Sequence, residues 1–147
     1  MYQRILVPLD GSPTSERALQ EAIKLADGKA QLRLIYVVEE IYLLDAEGYA
    51  FLDLAQLQKA VRDTGERTLA VAAGQLQKFA ITAETSLLEG GGEHVASVIN
   101  SEAKRWEANL IVIGTHGRSG FNRLLMGSVA EGVVRGASIP VLLIRAE

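Results

Sequence analysis

The segment between Gly114 and Ser128 carries residue types that suit the binding of a phosphate group. Glycines at 114 and 117 permit positive φ and a close approach of the backbone to a ligand, so successive amide N–H groups can converge on an anion. Gly127 and Ser128 then begin a predicted helix, whose first N–H groups lack intrahelical partners and carry the positive end of the helix dipole. Arg118 adds positive charge in the same loop. The residues therefore indicate an anion-binding loop.

The glycine spacing distinguishes this loop from two common nucleotide-binding motifs. A Walker A loop needs Gly-Lys-Ser/Thr after its second glycine, and no lysine lies between Gly114 and Arg145. A dinucleotide fingerprint would open the helix directly after the first strand, which this loop does not do. The spacing that remains is Gly114-x2-Gly117-x9-Gly127-Ser128.

Five apolar runs of strand length alternate with four helical patterns. These elements position the glycine loop. The runs lie at residues 5–9, 32–38, about 81–88, 110–113 and 141–144. All but the third are continuous rather than alternating, as expected for strands covered by helices on both faces. The pattern predicts an α/β fold with a five-stranded open parallel sheet and helices on both faces. Pro8 fits a strand only where pairing ends, because proline has no N–H for the ladder.

Ligands of open parallel sheets bind beyond the carboxyl ends of the strands, where the strand order reverses. The first strand ends in Asp10-Gly11-Ser12 and the fourth ends in the glycine loop. Two interpretations of Asp10 are open. Its carboxylate contacts the ribose or adenine of a nucleotide, or it is a solvated turn residue that helps to begin the first helix.

The glycine spacing resembles the nucleotide-binding signature of the universal stress protein family, G-x2-G-x9-G-S/T, at every fixed position. The segment from Ile5 to Ser12 resembles the first strand and turn of that family. The segment from Ile139 to Ile144 resembles its last strand. The resemblance therefore spans essentially the whole chain.

The resemblance implies an adenine nucleotide alpha hydrolase-like fold with strand order 3-2-1-4-5, and it implies ATP binding. It places the phosphates at the loop and helix start, among Gly114, Thr115, His116, Gly117, Arg118, Ser119, Gly127, Ser128 and Val129. It places adenosine between Pro8, Asp10 and the backbone of Val37. It also implies a homodimer through antiparallel pairing of the last strand, Val141 to Ile144. Whether magnesium or manganese accompanies the phosphates is left open.

The composition excludes several other classes of protein. The chain has 147 residues, 48% of them hydrophobic, with a net charge of −3 and no cysteine. These values argue against a disordered chain, a nucleic-acid binder driven by charge, and any disulfide or thiolate metal site. No run approaches the ~18 apolar residues of a membrane helix, and the first apolar run is too short for a signal peptide. We expect one domain over residues 1–147, located in the cytoplasm, with no membrane or nucleic-acid partner.

Other conspicuous residues do not indicate catalysis. His116 has no nucleophile or carboxylate partner readable from the sequence and is interpreted as a loop histidine with an ordinary hydrogen bond. His94 has no second ligand at metal spacing, and Trp106 lies on the apolar stripe of its helix. Residues 41–52 are unusually apolar for a connection. They form a lid, a partner surface, or a segment folded onto the sheet.

Three functions follow as hypotheses. The first is an ATP-binding stress-response or signalling module that acts through nucleotide-dependent conformation on an unknown protein partner. The second is a slow ATPase or phosphoryl-transfer enzyme, although the cradle lysine, a Walker B carboxylate and a clear base are missing. The third is a structural dimer module that binds no nucleotide.

Overall fold

The computed structural model describes residues 1–40, 53–81, 83–116 and 126–145. Its elements in chain order are β1 (Arg4–Pro8), α1 (Pro13–Ala26), β2 (Gln31–Val38), α2 (Leu54–Gln77), β3 (Ala83–Glu89), α3 (Val95–Trp106), β4 (Leu110–Gly114), α4 (Ser128–Gly136) and β5 (Val141–Ile144). The five strands form one parallel sheet in the order β3-β2-β1-β4-β5. The predicted fold class and strand order are confirmed.

Helices cover the sheet on both faces, and alternate strand residues supply the two cores. In β1, Ile5 and Val7 join the core beneath α1 and α2, whereas Leu6 joins the core beneath α3 and α4. All three side chains are fully buried. The two-residue period of a strand therefore accounts for the continuous apolar runs, since neither face is left to solvent.

Pro8 is the last residue of β1, at the position where pairing with β4 has already ended. The β1–β4 register stops at the pair formed by Leu6 and Ile111, whereas the β1–β2 register continues to Pro8. The amide of Leu9 donates to the Ile35 carbonyl of β2 at 2.8 Å, so the position of Pro8 faces the unpaired side. The missing N–H of proline therefore costs the sheet no hydrogen bond.

Two glycines that weaken the helical pattern of α2 do not interrupt it. Gly65 is buried, and a Cβ at that position would lie 2.7 Å from Tyr36 of β2 and from Leu87 of β3. The glycine lets the helix approach the sheet closely. Gly74 is exposed, and a Cβ at that position would have no atom within 4 Å, so this glycine makes no such approach.

Helix α4 buries one narrow face. Val133 is fully buried, but the next residue, Val134, is 43% exposed. One residue further along a helix turns the side chain by about 100°, and Val134 therefore leaves the apolar face on which Val129 and Val133 lie. Within the described residues, no helix is both long and apolar enough to span a membrane.

Candidate functional site

The carboxyl ends of β1 and β4 lie side by side in the sheet, and the region beyond them is here called the crevice. These strands are neighbours, yet β1 leads into a helix on one face and β4 into a helix on the other. The order of strands therefore reverses between them, which is where ligands bind in open α/β sheets. The crevice has the N-terminus of α1 on one side and the N-terminus of α4 on the other.

The turn after β1 is held by its own side chains. Oδ1 of Asp10 accepts a hydrogen bond from the amide of Ser12 at 2.8 Å. Gly11 between them has a φ of 83°, in the left-handed region that favours glycine. Ser12 caps α1, since its Oγ accepts from the amide of Ser15 at 3.2 Å. Asp10 therefore has the turn-forming role of its second interpretation, and a contact with a nucleotide stays a prediction.

Two consecutive carbonyls at the end of β4 hold the two helix N-termini together. The Thr115 carbonyl accepts from the amide of Gly127 at 2.6 Å, which places the start of α4 against β4. The next carbonyl, that of His116, accepts from the hydroxyl of Thr14 in the first turn of α1. The amide of Thr115 in turn donates to Ile144 of β5 at 2.9 Å. The two residues after β4 thus bind the start of α4 on one side of the crevice and the start of α1 on the other.

The N-terminus of α4 has no side-chain cap. Gly127 is its N-cap residue and makes no side-chain hydrogen bond to the helix, because glycine has no side chain. The amides of Ser128 and Val129 are at the first two helical positions, where intrahelical partners do not exist. A helix start of this kind favours an anion through its N–H groups and its dipole.

His116 is buried just after β4 and has one unsatisfied nitrogen. Its Nδ1 lies 3.0 Å from Oγ1 of Thr115, a hydrogen bond of the ordinary kind that the sequence predicted. Its Nε2 is buried and has no hydrogen-bond partner within the described part of the chain. Burial of such a group without a partner costs about 1–3 kcal/mol, and a polar atom that bonded to it would remove this cost.

The structure brings together most of the predicted site residues. Pro8 and Asp10 lie at the end of β1, and Val37 is half-buried near the end of the neighbouring strand β2. Gly114, Thr115, His116, Gly127, Ser128 and Val129 lie at the end of β4 and the start of α4. Gly117, Arg118 and Ser119 lie outside the described residues, as does the apolar segment 41–52.

Comparison with known proteins assigns this arrangement to a family. Residues 1–145 match the family model described as the universal stress protein family. The chain belongs to the universal stress protein family. The resemblance inferred from the glycine spacing and the first and last strands is thereby confirmed.

Relatives within the family align over nearly the full chain. Universal stress protein MJ0531 from Methanocaldococcus jannaschii is 34% identical, with 99% of this chain and 83% of the relative aligned. The crystal structure of a universal stress protein family member from Burkholderia pseudomallei is 38% identical, with a TM-score of 0.80 and coverage of 99% and 97%. The universal stress protein from Archaeoglobus fulgidus, solved in complex with dAMP, is 25% identical, with a TM-score of 0.67 and 98% of each chain covered.

Sequence reasoning missed Thr14, which connects α1 to the end of β4. No motif includes this residue, and it reads as an ordinary second residue of a helix that begins with proline. Gly114 explains why the contact is close. A Cβ at Gly114 would lie 2.9 Å from Cβ of Thr14 and 3.0 Å from its carbonyl carbon, so glycine is needed where the helix turn meets the strand end.

A cluster of metal-ligating side chains is not found in the described ranges. They contain no group of three or more His, Asp or Glu side chains that could hold an ion. His94 is the N-cap residue of α3 and makes no side-chain cap bond.

Trp106 is buried in the core beneath α3 and α4, as its place on the apolar stripe of α3 predicted. The guanidinium carbons of Arg4 and Arg33 lie 5.8 and 6.0 Å from its ring centroid.

Proposed function

We propose that this universal stress protein binds an adenine nucleotide, ATP, in the crevice between β1 and β4. The observation that carries the proposal is the glycine-capped N-terminus of α4, held against the end of β4 by the hydrogen bond from Gly127 to Thr115. A phosphate there would accept hydrogen bonds from amides that lack intrahelical partners, and it would meet the positive end of a helix dipole. The dAMP complex of the Archaeoglobus fulgidus relative supports an adenine nucleotide as the ligand class.

The proposed contacts follow the two halves of the crevice. The residues proposed to bind in the phosphate half are Gly114, Thr115, His116, Gly117, Arg118, Ser119, Gly127, Ser128 and Val129, of which 117–119 lie outside the described residues. The adenosine half consists of Pro8, Asp10 and Val37. In the phosphate half, Nε2 of His116 is the polar atom that still lacks a partner within the described chain. The phosphates carry the charge that the helix N-terminus favours, and the protein's part is to bind and orient them.

We further propose that nucleotide occupancy sets which protein partner the domain engages in a stress response, and that residues 1–147 act as one domain in the cytoplasm. The absence of cysteine is compatible with a reducing compartment. The proposal concerns binding and not hydrolysis.

A pair of substitutions at Gly127 tests the site. The backbone of Gly127 has a φ of −65° and a ψ of 158°, which any residue adopts, and both Asp and Asn are good N-cap residues. Gly127→Asp places a carboxylate over the amides proposed to bind phosphate, whereas Gly127→Asn caps the same helix without charge. Calorimetric titration with ATP and magnesium should show binding to the parent, a large loss in Gly127→Asp, and a smaller loss in Gly127→Asn.

The outcomes separate anion binding from helix capping. A carboxylate at the N-cap stabilises the helix by several tenths of a kcal/mol, so Gly127→Asp should melt at or above the parental temperature while it loses ATP. Equal binding of ATP by parent and Gly127→Asp would contradict the site. Failure of the parent to bind ATP at millimolar concentration, with no nucleotide released from the denatured protein, would contradict the function.

We also propose that the chain forms a homodimer through β5, Val141–Ile144. This strand is at one edge of the sheet, and Leu142 on it is 37% exposed. Val134 of the neighbouring helix α4 is exposed as well. An edge strand with exposed apolar side chains can pair with a second copy of itself.

A further inference from the structure

The two halves of the crevice are linked by hydrogen bonds of Ser12 and Thr14, through the backbone amide of Ser12 and the buried hydroxyls of both residues. This series of bonds begins at the Asp10 carboxylate, which accepts from the amide of Ser12 at 2.8 Å. Oγ of Ser12 lies 3.3 Å from Oγ1 of Thr14, and the Thr14 hydroxyl donates to the His116 carbonyl. Ser12 is 3% exposed and Thr14 is 6% exposed, so water does not compete for these bonds.

The direction of each hydrogen bond in the series is determined by the number of protons. Thr14 has one hydroxyl proton, and the His116 carbonyl can only accept, so the Thr14 proton lies between them. The hydroxyl of Ser12 must then be the donor to Thr14. Its oxygen also accepts from the amide of Ser15. The hydroxyl protons of Ser12 and Thr14 therefore each have one defined acceptor.

Thr14 is the one link in this series that crosses from α1 to β4. The carbonyl that it binds is adjacent to the Thr115 carbonyl, which holds the start of α4 through Gly127. Removal of the Thr14 hydroxyl would leave each half of the crevice intact. It would remove a hydrogen bond that ties the first turn of α1 to the residue after Thr115, in addition to the pairing of β1 with β4 in the sheet.

We infer that Thr14 is a positioning residue that couples the adenosine half of the crevice to its phosphate half. This inference rests on the proposed function, because it concerns a ligand that spans both halves. Thr14 itself does not contact the ligand. Its hydroxyl acts through the His116 carbonyl, and its side chain packs against Gly114, where a Cβ would lie 2.9 Å away.

The experiment compares Thr14→Val, which keeps the shape and removes the hydroxyl, with Thr14→Ser, which keeps the hydroxyl. ATP spans both halves, and adenosine occupies one. In Thr14→Val, ATP affinity should fall about tenfold, the order of one lost buried hydrogen bond, while adenosine affinity changes less than about twofold. Thr14→Ser should bind both ligands like the parent. Thr68→Val serves as the matched control, because the Thr68 hydroxyl donates to the Thr64 carbonyl within α2, far from the link between α1 and the end of β4.

A second measurement does not depend on nucleotide. In the ligand-free protein, amide hydrogen exchange at Gly127, which donates to Thr115, should be about three- to tenfold faster in Thr14→Val than in the parent. Thr14→Ser and Thr68→Val should exchange at the parental rate. If Thr14→Val does not fold, Thr14→Ala is used with the same criteria.

Several results would overturn the inference. They are an unchanged exchange rate in Thr14→Val, an equal loss of ATP and adenosine affinity, or a failure of Thr14→Ser to restore ATP binding. Failure of the proposed function would give another result, because the parent and every variant would then fail to bind ATP whatever their exchange rates. That result would overturn the inference as well.

Discussion

Arg33 in β2 and Glu102 on α3 form a buried ion pair between the sheet and the helix, with 2.6 Å between Nε of the arginine and Oε2 of the glutamate. Their side chains are only 11% and 6% exposed. Glu84 binds the same arginine, and Arg105 binds the same glutamate. The pair connects the sheet to α3, and both of its members are stabilised by a second partner of opposite charge.

Replacement of Glu102 should destabilise the fold. Glu102→Gln leaves the guanidinium of Arg33 buried without its full counter-charge, which costs about 3 kcal/mol in free energy of unfolding. Glu107→Gln is the matched control, because the Glu107 side chain is 82% exposed in its pair with Arg4 and should change stability by less than about 1 kcal/mol. Urea unfolding at neutral pH measures both. Equal stability of the two variants would contradict a structural role for the buried pair.

The same carboxylate should contribute to acid denaturation. Hydrogen bonds from Arg105 and Arg33 hold the pKa of Glu102 below its ordinary value, although burial opposes them. A carboxylate whose pKa is lower in the folded state binds more protons when unfolded. Its contribution is therefore complete above the unfolded pKa and is lost as pH falls through the folded pKa.

Unfolding by urea across the range from about pH 5 to pH 3 checks this contribution. The parent should lose stability more steeply than Glu102→Gln over that range, because the variant has no carboxylate to protonate at this position. Parallel curves for the two proteins would show that Glu102 titrates normally in the fold.

Helices α3 and α4 should not tolerate a methyl group at their closest approach. A Cβ at Gly132 would lie 2.6 Å from Cβ of Ala96, and neither atom can move without its backbone. Gly132→Ala should therefore destabilise by about 1–3 kcal/mol despite the better helix propensity of alanine. Gly74→Ala, at an exposed helical glycine with free space, should instead stabilise by about 0.5–1 kcal/mol. Thermal unfolding distinguishes the opposite signs.

The two nitrogens of His116 can be tested separately. The side-chain amide of Asn can replace Nδ1, which binds Thr115, and that of Gln can replace Nε2, which has no partner within the described chain. If Nε2 contacts the nucleotide, His116→Gln should keep ATP affinity within about threefold and His116→Asn should lose about tenfold or more. Calorimetric titration gives the ranking. The reverse order would mean that His116 serves only to hold Thr115.

The proposed dimer should depend on the exposed edge of β5. Leu142→Lys places a charge on the outward side chain of that strand and should convert a dimer into a monomer in analytical ultracentrifugation. Val71→Lys makes the same change on α2, where Val71 is 62% exposed, and should leave the assembly as it is. A parent that sediments as a monomer at high concentration would contradict the proposal.

The regular elements could be predicted from local sequence because local physics determines them. Ser12 and Pro13 mark the start of α1, and the apolar runs mark strands that are buried on both faces. The glycines of the loop after β4 predicted where an anion could approach the backbone. The third strand was predicted at about 81–88, whereas β3 is Ala83–Glu89. This strand is at the edge of the sheet and only partly buried, so its apolar pattern marks its bounds less clearly.

Residue patterns alone were therefore enough to predict the α/β class and the resemblance to universal stress proteins, both of which are confirmed, because helix periodicity, capping and glycine conformation act within a few residues. They also predicted an anion-binding loop after the fourth strand, which stays a prediction. The folded arrangement was needed to show that Arg33, which lies inside an apolar run, is buried in an ion pair with Glu102, 69 residues away. It was also needed to show that Thr14 binds a carbonyl 102 residues later in the chain. Such contacts depend on which strands become neighbours, and no short-range pattern records that.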